Sequence, residues 1–364
     1  MRLCCVFNYA ASYREDIYQK IDDTFDSQYY FGKIIDRKEV TIKEIDYNQL
    51  KKRPKFFFNK FIFNRFLWRT KIALLGLKKY DTFLITADFN LSYIPLVLIC
   101  KILRKRIYGW GHGIKNKNRK LYKVENWLVR NFTGFFSYGE KGRKRMIELG
   151  YNPDKIHIIY NSLRGKLENY PNLSSSIYTD RFGNSNPVLL FIGRLTPQKE
   201  LDKLIELHAN LNKSGTLCNL VIIGDGSERI YLEKCADQNR YKDMIWFYGE
   251  CYDENKNNEL IYNADLCVSP GNIGLTAIHA LQYGTPIISH DDFETQMPEY
   301  ESIIPYKTGL TFTKGDWNDL ENKVEEWLRF ANGKRQEIRE NCYEEINNKW
   351  NSDNQIEILK KVLL

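Results

Sequence analysis

Short runs of β-branched, aromatic and aliphatic residues punctuate the chain, separated by stretches with apolar residues at helical spacing. In the first half the runs occupy residues 3–7, 82–86, 106–109, 135–138 and 156–160, each reading as a buried strand. Helical patterns lie between them at 91–104, 118–131 and 141–149. The stretch 165–187 breaks the alternation with Ser174-Ser175-Ser176, Asn184, Asn186 and two prolines, and reads as a linker. Beyond it the alternation restarts at 188–192, 220–223, 245–248, 266–269 and 286–289. Strand, helix, strand in steady repetition predicts parallel sheets covered on both faces. The fold class is therefore α/β, with two Rossmann-like, doubly wound domains at 1–165 and 187–345 joined by a linker at 166–186. From Trp317 onward the tail reads as helical, anchored by Trp327, Leu328, Ile356, Leu359 and Val362.

Composition narrows the class. With 364 residues, 43% hydrophobic and 27% charged, the chain is globular and long enough for more than one core. Disorder, collagen-like repeats and a small disulfide scaffold are excluded. The apolar stretches, such as 93–100, fall far short of the roughly 20 residues that span a bilayer. Met1-Arg2 leads straight into LCCVF without the layout of a signal peptide. The eight cysteines include no CxxC pair, which argues against a disulfide framework or a zinc site. The expected compartment is the reducing cytoplasm.

Charge divides the chain. Residues 1–170 hold 34 Lys and Arg against 16 Asp and Glu, while the remainder holds 20 against 30. A first half so basic either faces an anionic partner or simply presents a solvated surface.

In doubly wound sheets, ligands sit at the carboxyl ends of strands and in the cleft between two such domains. The residues that follow the strands are the informative ones. After 188–192 come Gly193-Arg194-Leu195 and Pro197-Gln198-Lys199, two cations beside a helix start, suited to a pyrophosphate or to an ordinary surface turn. After 220–223 comes Gly224-Asp225-Gly226-Ser227, a tight turn over which backbone can approach a ligand. After 266–269 comes Pro270-Gly271-Asn272-Ile273-Gly274-Leu275-Thr276, a glycine-rich loop opening the helix that carries His279. In the first half, Gly109-Trp110-Gly111-His112-Gly113 sets a histidine among glycines after a strand, either exposed to the cleft or packed in a turn. Asp88 also follows a strand, where it reads better as a helix cap than as a functional carboxylate.

The ordered set GRLTPQK, IIGDGSE, FYGE, ADLCVSPGNIGLTAIHALQYGTPII and PEY…TGLTF resembles the nucleotide-sugar half of GT-B glycosyltransferases. Within that fold it resembles glycosyltransferase family 4, retaining enzymes of bacterial polysaccharide assembly that use activated sugars. GWGHG, FSYGEKG and KIHIIYNS resemble the acceptor half of the same family. The resemblance implies that Arg194 and Lys199, with Gly193, hold the donor pyrophosphate. It implies that Gly274, Leu275 and Thr276 cradle the distal phosphate and sugar through their backbone. Gly224, Gly226, Tyr248 and Cys251, the latter two in the stretch Tyr248 to Tyr252, would flank the nucleoside base. His112 matches the acceptor-domain histidine beside the transferred sugar, and residues 346–364 match the helix that crosses back to the first domain. Where the family has two Glu separated by seven intervening residues, this chain has Gly271 and His279, leaving Asn272 or bare backbone to read the sugar and His279 to meet the ribose.

These residues lead to one reading: a glycosyltransferase moving a sugar from a nucleotide-sugar donor, with retention, to a lipid-linked or oligosaccharide acceptor in surface polysaccharide, O-antigen or capsule assembly. Arg194, Lys199 and the helix start would stabilise the departing pyrophosphate. With no Asp-x-Asp at a strand end, no metal and no further cofactor are expected. A GT-B nucleotide-sugar epimerase and a pseudo-transferase that only binds are the alternatives. Residues 51–69 interleave aromatics with Lys and Arg, and on a helical wheel Lys55, Arg65 and Arg69 share one side. With 101–106 and 115–120 they suggest peripheral attachment to an anionic cytoplasmic membrane face. Nucleic acid is not an expected partner.

Overall fold

The computed structural model describes residues 1–33, 43–62, 66–69, 71–87, 91–114, 122–169 and 172–364, without the side chains of 59–62 and 66–67. It divides into two compact units, Met1–Gly165 with Asn351–Leu364, and Lys166–Trp350.

In the first unit the strands are β1 (Arg2–Phe7), β2 (Asp26–Lys33), β3 (Lys55–Ile62), β4 (Phe66–Arg69), β5 (Thr82–Thr86), β6 (Arg106–Gly111), β7 (Gly134–Ser137) and β8 (Ile156–Ile158). They form one sheet in the order β4-β3-β2-β1-β5-β6-β7-β8, parallel throughout except where β4 runs antiparallel to β3. Its helices are α1 (Glu15–Thr24), α2 (Ile72–Leu75), α3 (Tyr93–Ile102), α4 (Tyr122–Asn131) and α5 (Glu140–Glu148). Alternate residues of each strand enter opposite cores. Cys4, Val6, Phe83 and Ile85 pack with Leu96 and Val97 of α3 on one face. Leu3, Cys5, Phe7 and Leu84 pack with Ile17, Tyr18 and Ile21 of α1 on the other. Burial on both faces is why these strands read as unbroken apolar runs.

The second unit holds α6 (Ile177–Phe182), β9 (Val188–Ile192), α7 (Leu201–Ser214), β10 (Asn219–Ile223), α8 (Arg229–Asp237), β11 (Ile245–Gly249), α9 (Glu254–Asn263), β12 (Leu266–Ser269), α10 (Thr276–Gln282), β13 (Ile287–His290), β14 (Gly309–Phe312), α11 (Trp317–Ala331) and α12 (Arg335–Asn348). All six strands are parallel, in the order β11-β10-β9-β12-β13-β14. That order reverses direction between β9 and β12, which makes the gap beyond their carboxyl ends the topological switch point.

The last helix, α13 (Ser352–Leu363), belongs to the first unit. Ile356, Leu359 and Leu363 enter the core beside α1. Gln355 receives a bond from Ser162 Oγ at 2.7 Å and donates to Tyr160 O at 2.9 Å. Lys20 and Asp353 pair at 2.7 Å.

Three expectations need correction. The stretch read as linker carries α6, whose Tyr178 is buried and donates to Leu260 O at 2.7 Å. Residues 55–62 and 66–69 are strands, so the helical wheel does not describe them: consecutive phenylalanines favour an extended backbone with period two. Phe57 is buried while Phe56 and Phe58 face outward. Arg69 therefore does not share a solvated face with Lys55: it is buried, bonded to Tyr93 Oη and Asn8 Oδ1. Arg65, Asp88 and residues 115–120 lie outside the described residues. Among the described residues no helix is long and apolar enough to cross a membrane, and all eight cysteines are free thiols.

Candidate functional site

The switch point of the second sheet gathers most of the candidate residues. The loop leaving β9 runs through Gly193 and Arg194 into a single 3-10 turn, Pro197–Lys199, before α7. It is stitched to the end of β10 and the loop after it by bonds from Gly193 N to Ile223 O (3.0 Å) and Leu195 N to Asp225 O (2.9 Å). A Cβ at Gly224 would fall 1.9 Å from Gly193 O, so this glycine is required first by the contact of one loop with another. On the opposite side, Gly271 N donates to Lys199 O at 3.1 Å, and a Cβ there would lie 2.0 Å from Gln198 O. No side chain fits at Gly271 without moving the Lys199 loop. The position where the resemblance leads one to expect a glutamate is closed by backbone packing.

Lys199 is the electrostatic centre. Its Nζ donates to both the backbone oxygen and Oδ1 of Asn272, the latter at 2.8 Å. Burial, followed by the nearby Arg194 guanidinium, lowers its pKa to about 8, against an upward pull from Glu299. Asn272 thus aims the lysine, a task its sequence position did not announce. Arg194 itself is exposed. Next to this pair, α10 is pinned by Thr276 Oγ1 donating to Ile192 O at 2.9 Å. The N–H groups of Gly274, Leu275 and Thr276 make no hydrogen bond among the described residues. Two cations and three unspent donors together form a strongly electropositive corner.

Tyr248 is the last residue but one of β11, its ring edge-on to Trp246 at 5.0 Å, and Cys251 lies in the turn that follows. Asp253 caps α9 through Asn255 N and Lys256 N. The strand order puts this turn three strands from β12, about 14 Å at the usual strand spacing. His279 lies toward it from α10, with Nε2 3.4 Å from Glu254 Oε1 and its ring against Tyr283. His112 follows β6 in the first unit, half-buried, with its ring 5.1 Å from that of Tyr138.

Two contributors were not foreseen. Gln296 is fully buried: Oε1 accepts from Ile273 N at 2.8 Å, while Nε2 donates to Ser289 Oγ and His290 O, both at 3.0 Å. It fastens the glycine-rich loop to β13. Glu254 is the other, visible only once α9 is seen beside α10.

Two doubly wound sheets, the first parallel but for β4 and the second in Rossmann order with its ligand-type loops at the switch point, define a protein of GT-B fold. Residues 180–345, within the second unit, match the family model for glycosyl transferases group 1. The alpha-D-kanosaminyltransferase of Streptomyces kanamyceticus is 28% identical over 116 residues, 31% of this chain and 30% of that enzyme. The chain thus spans about a third of that relative's length. Among solved structures, Anabaena Alr3699/HepE in complex with UDP is similar with a TM-score of 0.74 at 16% identity, covering 100% of this chain and 99% of that one. The apo form of the lipopolysaccharide outer core galactosyltransferase WaaB is similar with a TM-score of 0.70 at 15% identity, covering 99% of both.

Proposed function

We propose that this protein is a retaining glycosyltransferase of family 4 type that takes a sugar from a nucleotide-sugar donor. The observation that carries the reading is Lys199, an amine depressed to about 8 by burial and by Arg194, beside three unspent N–H groups. An anion placed there relieves the repulsion between the two cations and satisfies the free donors at once. The pyrophosphate occupies this corner, and the base reaches the turn at Tyr248 and Cys251, over Gly224 and Gly226. His279 and Glu254 lie on the ribose side, and Asn272 or the backbone of the loop meets the sugar. His112 serves beside the transferred sugar. As the sugar–phosphate bond breaks and the glycosidic bond forms, Arg194 and Lys199 stabilise the negative charge on the leaving pyrophosphate. That phosphate takes the proton of the acceptor hydroxyl, and no metal is required.

The decisive experiment is a thermal-shift screen of the purified chain against UDP, GDP, CMP, dTDP and their common sugars in EDTA. A nucleotide near 100 times its dissociation constant stabilises by about 2.7 kcal/mol. UDP is the first to try, since the structurally similar HepE is seen with it. One nucleotide should shift the midpoint, and Arg194→Ala should lose the shift while keeping its fold. No shift with any nucleotide sinks the assignment.

The acceptor in this reading is lipid-linked or an oligosaccharide, met at the inner membrane face during surface polysaccharide assembly. The likeness to a lipopolysaccharide galactosyltransferase supports that setting. So does an exposed patch on the first unit. Phe58 and Leu74 are 57% and 54% exposed beside a depression of about 300 Å³ rimmed by Lys55, Lys71 and Lys78, with the Lys33 amine over the Phe58 ring. Aromatic wedges among lysines suit an anionic bilayer surface. Sedimentation with phosphatidylglycerol vesicles should exceed that with phosphatidylcholine, and Phe58→Ser with Leu74→Ser should abolish the difference.

A further inference from the structure

Arg14 carries a charge that no Asp or Glu among the described residues pairs with. It sits at the start of α1, in the turn after β1, at the carboxyl end of the first sheet. Its Nη2 donates to Tyr138 Oη, and its guanidinium lies 5.3 Å from the Tyr138 ring, 5.6 Å from Trp110 and 5.8 Å from Tyr13. Aromatic faces hold a guanidinium in place without discharging it. Its sequence neighbours do not neutralise it either: Glu15 makes no ion pair with it, and the Asp16 carboxylate takes the Ser352 hydroxyl. The remaining N–H donors of its fork are unspent among the described residues, and Arg14 is half-buried next to the exposed Tyr13. The other neighbour of Tyr138 is the His112 ring, 5.1 Å away. One tyrosine therefore forms a shared wall for Arg14 and His112.

We infer that Arg14 binds an anionic group of the acceptor, a phosphate or carboxylate close to the hydroxyl that receives the sugar. The inference rests on the reading of His112 as the residue beside the transferred sugar. The donor's pyrophosphate already has Arg194 and Lys199, so a second cationic fork next to His112 is left for the other substrate. A planar fork held on aromatic faces suits bidentate capture of an oxyanion.

The test silences the donor corner first. In an Arg194→Ala, Lys199→Ala chain with labelled histidine, glucose 1-phosphate, methyl glucuronide and neutral methyl glucoside are titrated while the His112 ring resonance is followed. The phosphate or the carboxylate probe should move it saturably and the neutral glucoside should not. Which anion acts tells the two sources apart. Arg14→Gln should weaken that binding about tenfold, as expected for one charge-assisted bond. Arg14→Lys should restore part of it. Tyr138→Phe, which removes only the hydroxyl that aims the fork, covers the case in which Arg14→Gln fails to fold, and should weaken binding several-fold. Equal response to charged and neutral probes, or unaltered binding in folded Arg14→Gln and Tyr138→Phe, overturns the proposal. Nucleotide binding by the chain with Arg194 and Lys199 intact is measured alongside. Its absence counts against the donor reading alone.

Discussion

Lys199 holds the chemistry of the donor corner in a form that titration can read. With its pKa near 8 in the anion-free protein, it is mostly charged at pH 7 and mostly neutral by pH 9. A bound pyrophosphate favours the ammonium, so binding above pH 8 takes up a proton. Affinity for the nucleotide should fall as pH rises beyond 8, by up to about tenfold per unit, and Lys199→Arg should flatten the profile in calorimetric titrations at pH 7 and 9. The same depression acts on stability with a definite sign. Between about 8 and the ordinary 10.5 the unfolded chain binds more protons, so this group's contribution to stability rises with pH across that window and its cost is complete below it. Lys199→Met should therefore raise the melting temperature at pH 7 by roughly 2–4 °C while removing nucleotide binding. Gly271 argues the opposite way. Restoring the family-like glutamate there puts a Cβ 2.0 Å from Gln198 O, so Gly271→Glu should lower stability by about 2–4 kcal/mol and displace the Lys199 loop. A Gly271→Glu protein that melts like the parent would show that the loops are not packed as described.

The glycine-rich loop between β12 and α10 takes its shape from Gln296, 23 residues from the Ile273 amide that it accepts. Gln296→Ala leaves that amide and the carbonyl of His290 without a buried partner, at a cost of about 1–3 kcal/mol. Nucleotide affinity should drop several-fold in the same variant, since the loop presents the free donors of Gly274–Thr276. Binding equal to the parent's would separate the loop's shape from the donor site. Contacts of this kind explain what the sequence could and could not disclose. The strands 82–86, 188–192 and 266–269 were legible to the residue, because burial on both faces leaves an unbroken apolar signature. The loops bearing Arg194, Lys199 and Gly274 were legible because they follow those strands. β2 went unread because DSQYYFGK begins and ends polar, and β3 because its phenylalanines offered no clean period. Gln296, Glu254 and Arg14 act across long sequence separations, and a lone polar residue in a loop carries no local signal of its partner.

At the scale of the molecule, the two units differ in how the chain makes them. The second is continuous, Lys166–Trp350, whereas the first is closed by the last fourteen residues, Asn351–Leu364. Ile356, Leu359 and Leu363 complete the core that α1 and β1 begin, more than three hundred residues earlier. A nascent chain can therefore finish the second unit before the first, whose α1 face stays uncovered until α13 has been made. Leu359, fully buried among those contacts, tests this division of labour. Leu359→Ala should cost about 2–4 kcal/mol, as large-to-small changes in a packed core do. The loss should be local. Hydrogen exchange ought to quicken in residues 1–33 and 351–364, while β9, β10 and β12 keep the protection of the parent protein. Nucleotide binding at the Arg194 corner should persist at temperatures where the first unit has begun to open, because that corner is built wholly within the second. Uniform loss of protection in both units would instead show that they unfold as one cooperative body, and that the returning helix stabilises the whole chain rather than the unit it completes.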